Sequence, residues 1–310
     1  MNRKYKSLII IFITILFLIN FFINSNILIK TFFDTTKLWF YNLFPSIFIF
    51  FIITDILNNY HFPYYLGKIF GKLVHKIYKL PKEATYIIVM SITSGFPGNS
   101  KLIKEQLDNN TITIYDANKL LTMTHFSNPI FLLYTVGINF FHDKKIGVFI
   151  LISHYITNFI IGFLFRNTYH VKETKKNYAL TKPVPFMNLL KTSISNTINI
   201  LFNVYGIIIF FALLTKTINL YLDLNPYTNM LFNGILEITN GLNLLSILPI
   251  SKIKAAMIAT FIISFGGISI HMQVMSILNK YDINYYVYLI SRILHAAISS
   301  FLFFILSLWL

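Results

Sequence analysis

Two short stretches place polar and helix-breaking residues inside apolar sequence, and chemistry is expected there. The first is Ser94-Gly95-Phe96-Pro97-Gly98-Asn99-Ser100-Lys101, and the second is Leu236-Glu237-Ile238-Thr239-Asn240-Gly241. Broken backbone at membrane depth is tolerated only where it is buried in protein or lines a cavity. Paired interruptions in the two halves of a chain point to the binding site of a secondary transporter. A helix restarting near Gly98 would aim its N–H groups and positive dipole end at the first break, a ready anion site. Ser94, Gly95, Gly98, Asn99 and Ser100 would surround that site, with Lys101 adding a full positive charge. The plainer reading makes Asn99 and Ser100 helix caps and sends Lys101 to the aqueous interface. At the second break Glu237 is acidic within an apolar run, which costs at least about 2.5 kcal/mol in isolation. It is expected to carry a coupling proton, hold a cation or pair with Lys101, with Thr239 and Asn240 as polar contacts. The alternative leaves it solvated at the outer surface.

Each break is followed by another. Thr124-His125-Phe126-Ser127-Asn128-Pro129 interrupts the run after the first, and Ser264-Phe265-Gly266-Gly267-Ile268-Ser269 the run after the second. Asn128, Ser264, Ser269 and Gln273 either bind a polar substrate or hydrogen-bond neighbouring helices. His125 and His271 flank these breaks and are candidates for proton or ion coupling. Together with His154 they show no ligand-like spacing, so no metal site is expected. The chain has no cysteine, which excludes disulfides and thiolate chemistry. No Gly-rich phosphate loop ending in Lys-Ser/Thr indicates ATP drive. Neither a Ser/His motif nor a two-carboxylate site is visible, so the chain is not expected to be an enzyme or to need a cofactor.

The breaks must be positioned by helices that cross a bilayer. Hydrophobic residues make up 55% of the 310 and charged residues 12%, about half the charged share of a soluble domain. The net charge of +15 fits basic cytoplasmic loops, and no nucleic-acid partner is expected. Spans are expected over residues 7–23, 39–57, 115–141, 146–165, 195–214, 254–278 and 283–309. The first reads as uncleaved, because no small-residue cleavage site follows it. Leu66, Ile69, Phe70, Leu73, Val74, Ile77 and Leu80 share one helical face, with Lys68, Lys72, Lys76 and Lys79 elsewhere. That pattern predicts an amphipathic helix on an anionic membrane surface. Segments 83–93 and 100–108, and the pair within 230–248, are each shorter than the ~20 residues of a span. They read as two re-entrant hairpins.

A cytoplasmic N-terminus puts nineteen of the 26 Lys and Arg on the cytoplasmic side, including five from Lys68 to Lys82 and six from Arg166 to Lys191. This bias predicts an external C-terminus, with the first hairpin entering from the cytoplasm and the second from outside. Residues 1–30 are then a signal-anchor span, and 31–166 a first repeat with its hairpin break at 94–101. A basic cytoplasmic linker over 167–185 leads to a second repeat, 186–310, with its break at 236–241. The expected fold class is an all-α polytopic membrane protein, with about seven transmembrane helices plus two re-entrant helical hairpins in an inverted repeat.

Four segments carry a family resemblance: Ser94 to Ile103, Ser127 to Gly137, Gly234 to Gly241 and Gly266 to Val274. In order and spacing, from about Trp39 to the C-terminus, the chain resembles the YlbJ (SpoVV) sporulation integral membrane protein family. The resemblance implies a nucleoside-recognition "Gate" domain, shared more distantly with concentrative nucleoside transporters and ferrous-iron transporters. It also implies export of dipicolinic acid across the outer forespore membrane into the forespore intermembrane space. The nucleoside carriers have a Gln-Thr-Glu triplet where this chain has Pro97-Gly98-Asn99, which argues against a nucleoside. The expected partners are the lipid bilayer and a small-molecule anion, free or as a calcium complex, with a homo-oligomer left open. Phe96, Phe126 and Phe265 lie near the breaks, where one could stack on a pyridine ring. Two alternatives stand beside this reading: a transporter of nucleosides, other polar metabolites or ions, and a spore-envelope morphogenetic protein that transports nothing.

Overall fold

A computed structural model describes residues 3–169 and 182–309, and these residues are helical throughout, with no strand among them. Most of the expected linker over 167–185 lies outside the described residues. The chain opens with α1 (Arg3–Ile23) and α2 (Ser25–Leu38). Their axes bend by 96° at the Asn24 corner. Two asparagines hold that corner against a distant helix: Asn20 donates to Thr217 at 2.9 Å and accepts from Tyr221 at 2.7 Å, and Asn24 donates to Tyr221 at 3.3 Å. A π-helical stretch, Trp39–Leu43, carries the chain into α3 (Phe44–Asn59). Then comes α4 (Phe62–Tyr78), which buries Leu66, Gly67, Gly71 and Val74 and exposes both Ile69 and Leu73 and a row of lysines. That division suits a helix lying at an interface.

Two short helices follow, α5 (Ala84–Ser94) and α6 (Gly98–Asp108). Next is α7 (Ile114–Met123), begun by a capping box between Thr113 and Asp116. It ends before the Thr124–Pro129 interruption, and a π-helical stretch, Phe131–Phe140, leads to α8 (Lys144–Leu164). The second half is α9 (Phe186–Tyr221), α10 (Pro226–Leu236), α11 (Ile238–Ser246), α12 (Lys252–Phe265), α13 (Gly267–Ile277) and α14 (Tyr285–Ser307). The order short pair, interrupted helix, unbroken helix therefore occurs twice along the chain. In space α14 packs on both α12 and α8, and α3 runs along α9.

Among the described residues four helices are long and apolar enough to span a membrane: α8, α9, α12 with α13, and α14. The bent α1–α2 pair makes a fifth if counted as one span. The sequence reading of seven spans differs for two physical reasons. Residues 39–57 spend their first turn in the π-helical stretch, leaving α3 with 16 residues. Residues 115–141 divide into two ten-residue helical pieces around the interruption.

Candidate functional site

The four interruptions are built in different ways, each dictated by where its backbone polar groups find partners. At the first, Gly95 takes φ +68°, and a Cβ there would lie 2.6 Å from the Asn128 nitrogen. Only glycine accepts that conformation at that distance from another chain segment. Phe96 N–H then donates to the Phe126 carbonyl at 2.8 Å, which ties the first interruption to the second. The second interruption is satisfied from α8. His154 Nε2 accepts from Ser127 N–H at 3.0 Å, Asn158 donates to the His125 carbonyl at 3.1 Å, and Tyr155 donates to the Ser127 carbonyl at 3.0 Å.

Only Glu237 separates α10 from α11, and it is extended, with φ −147° and ψ 123°. Its carboxylate accepts from Asn240 N–H at 2.9 Å and from the Thr239 hydroxyl at 2.5 Å, so the residue that breaks one helix caps the next. The two helices touch at Gly234 and Gly241, where a Cβ on Gly241 would come 2.2 Å from the Gly234 Cα. At the fourth interruption Gly266 has φ +94°, and a Cβ there would strike His125 Nε2 at 2.5 Å. The neighbouring carbonyl of Phe265 accepts from His271 Nε2 at 2.9 Å. Ser264 is held by His154 Nδ1 at 2.8 Å and by Ser299 at 2.6 Å.

A cavity of about 440 Å³ lies between these elements. It is lined by Ser94, Phe96 and Pro97 of the first interruption, Ser127 and Asn128 of the second, and Glu237, Ile238, Thr239 and Asn240 of the third. Ile270 and Gln273, from the first turns after the fourth interruption, complete that wall. The remaining lining comes from α2, the start of α3, the π-helical stretch Phe131–Phe140 and α9, with Asp34, Lys216 and Asn243 as exposed residues at its margin. Two of the lining hydroxyls, Ser94 Oγ and Ser127 Oγ, are buried and have no hydrogen-bond partner. A buried hydroxyl without a partner costs about 1–3 kcal/mol. Both side chains border the cavity, and a rotation about Cα–Cβ would be needed to turn either hydroxyl into it.

The structure brings together only part of the sequence-derived set. Ser94, Asn128, Glu237, Thr239, Asn240 and Gln273 line the cavity. Gly95 and Gly98 shape its wall through backbone packing. Asn99 donates to Thr124 at 3.3 Å, Ser100 donates to Asn99 at 3.3 Å, and Ser269 accepts from Gln273 at 3.3 Å, so these three brace the wall. His125 stacks on Phe96 with ring centroids 4.7 Å apart, and His271 accepts from Tyr285 at 3.2 Å while holding Phe265. Of the three phenylalanines only Phe96 reaches the cavity; Phe126 packs on Tyr155 and Phe265 on His271.

Lys101 requires a correction. It points away from the cavity and forms ion pairs with Asp55 and, at 2.7 Å, with Glu105. Its charge is compensated there, and the pairing with Glu237 does not form. The cation lining the cavity is Lys216. No group of three or more metal-binding side chains occurs among the described residues.

Several supporting residues escaped the sequence reading. Arg292 is fully buried, donates to the Thr122 carbonyl at the end of α7, and donates to His295 Nδ1 at 3.2 Å. His295 Nε2 in turn donates to the His154 carbonyl at 2.9 Å. The signal was present: Tyr288, Ser291, Arg292, His295 and Ser299 fall at helical spacing and form one buried polar stripe on α14. On α2, Thr31, Asp34, Thr35 and Leu38 give the same spacing on the face toward the cavity.

Apolar helices of spanning length, interrupted around a polar cavity, define a polytopic integral membrane protein. The chain is similar to the sporulation integral membrane protein YlbJ of Bacillus subtilis (strain 168), at 25% identity over 309 residues, covering 88% of this chain and 75% of that protein. This match supports placing the chain in the YlbJ family. No family model matches the sequence. No solved structure matches it either.

Proposed function

We propose that this protein is a secondary carrier for a small anionic metabolite, not an enzyme, and that the anion is dipicolinate, exported during sporulation. One observation carries the reading. A single cavity is lined from three helix interruptions and the helix following the fourth, and it is bordered by two serines whose hydroxyls no protein group satisfies. The amides of Asn128, Asn240 and Gln273 and the ammonium of Lys216 add donors suited to carboxylate oxygens. Phe96, Phe131 and Phe140 supply faces for one aromatic ring. The loop charges support a cytoplasmic N-terminus and an inverted arrangement of the two halves. The membrane is then the outer forespore membrane, consistent with the sporulation role in the relative's name.

The test is dipicolinate flux in proteoliposomes for the wild type and for Ser94→Ala with Ser127→Ala. Neither hydroxyl bonds to the protein, so the double variant should insert and melt like wild type. Losing two ligand hydrogen bonds of about 1 kcal/mol each should raise KM roughly 10- to 30-fold. Wild-type flux no greater than that of protein-free liposomes would contradict the substrate assignment.

A further inference from the structure

A second, larger cavity of about 1040 Å³ lies at the other end of the α3–α9 interface. Asp55, Asn58, Lys101, Glu105, Ser193 and Asn196 are in its wall, and the loop residues Asn109 and Asn110 border it. The two cavities stand in series. Along α3, Ile47 faces the smaller one and Asp55 the larger, about 12 Å further at the helical rise. Phe51, midway between them, is 1% exposed. Along α9, running the opposite way, Ser193 and Asn196 line the larger cavity and Val204 and Ile208 the smaller. Leu201 lies between them and is fully buried. Phe51, Leu201 and Ile277 of α13 belong to one apolar cluster. That cluster is the partition.

The partition is tied on the side of the larger cavity. The Lys101 ammonium contacts one oxygen of Asp55, and the other oxygen accepts from the Ser193 hydroxyl, so one carboxylate joins α6, α3 and α9. Glu105 flanks Lys101 at 2.7 Å. The tie is also packed against the candidate site. Lys101 lies one turn beyond Gly98, where a Cβ would come 2.7 Å from the Ser94 Cβ and 3.4 Å from the Phe51 ring. Ser94 lines the smaller cavity. A ligand that moves Ser94 therefore presses on Gly98 at the start of α6, which lies between Ser94 and Phe51.

We propose that the two cavities form one substrate path, that the apolar partition is its gate, and that the Asp55–Lys101–Ser193 tie is the latch. This inference rests on the carrier reading above. It makes Asp55 a positioning residue that controls access to the smaller cavity.

The chain contains no native cysteine, so access can be read at a single introduced one. Ile208→Cys places a thiol in the smaller cavity. Its reaction with a membrane-impermeant thiol reagent is measured in vesicles of both orientations. With the latch intact, labelling from the side of the larger cavity should be slow. Adding Asp55→Asn or Ser193→Ala should raise that rate roughly tenfold, the scale of an ordinary coupling between two sites, and leave the rate from the opposite side unchanged. Ser193→Ala guards against misfolding of the Asp55 variant, and Lys101→Arg, which keeps the tie, should label like wild type. Unchanged rates in both Asp55→Asn and Ser193→Ala would overturn the gate. Labelling needs no transport: gated labelling without dipicolinate flux upholds the latch and removes the substrate, whereas flux with ungated labelling removes the latch alone.

Discussion

The two short helix pairs, α5–α6 and α10–α11, each put polar residues into the same cavity, yet they are held in place by different means. The first is stitched to the rest of the molecule: Phe96 to Phe126, Asn99 to Thr124, Lys101 to Asp55. Both of its helices are buried along most of their length. The second is satisfied largely within itself, with an outward tie from Asn219 of α9, which donates to Asn233 at 2.9 Å. Glu237 bonds to Thr239 and Asn240 within its own turn, Asn233 bonds to Asn229 one turn back, and Gly234 meets Gly241 across the pair. Much of α10 faces outward. A self-contained pair can shift with few bonds broken, whereas moving a stitched pair disturbs several elements at once. In the proposed carrier the second pair is the adaptable wall of the site, and the first transmits its occupancy to the gate.

That contrast can be broken most completely by topology, where the outcome is all or none. Asn109 closes the first pair and Ile247 the second. Single cysteines at these two positions should label from opposite faces of the membrane, Asn109→Cys from the cytoplasm. Labelling of both from one face would remove the inverted arrangement.

The next effect is on stability. Lys101→Met leaves the carboxylates of Asp55 and Glu105 without their cation. Breaking one partner of a buried pair should lower the unfolding free energy in detergent by about 3 kcal/mol. Glu237→Gln sharpens the comparison with the smallest change. Its side-chain carbonyl still accepts from Asn240 N–H, so stability should fall by less than about 1 kcal/mol, while dipicolinate flux drops and loses its pH or cation dependence because the carboxylate that would carry the coupling proton or cation is gone. Equal destabilisation by the two substitutions would erase the distinction between stitched and self-contained pairs.

The interruptions were legible in the sequence because glycine, proline and short polar residues cannot be explained by lipid contact. Ser94–Gly98 and Leu236–Gly241 therefore declared themselves. What holds them did not. Asp55 and Lys101 are 46 residues apart, and a lysine just past a helix break reads as an anion ligand until its carboxylate partner is known. Arg292 and His295 were hidden differently: they lie in an apolar helix, where their polar stripe shows only once spacing is counted. The α2 helix was missed because its sequence, with Lys30, Asp34 and Lys37, is too polar to read as a span, although Asn24 at its start is anchored to α9. The span count differs where a π-helical stretch begins residues 39–57 and an interruption divides residues 115–141.

The account rests on the smaller cavity being the place where the anion binds. Asn243 lies at its exposed margin, and Ile247 lies outside its lining, one turn further on. The most direct measurement compares the rates at which Asn243→Cys and Ile247→Cys react with a thiol reagent, with and without saturating dipicolinate. Binding in the cavity predicts that dipicolinate slows the reaction at position 243 in a saturable way and leaves position 247 unaffected. Equal rates at position 243 with and without dipicolinate would contradict it.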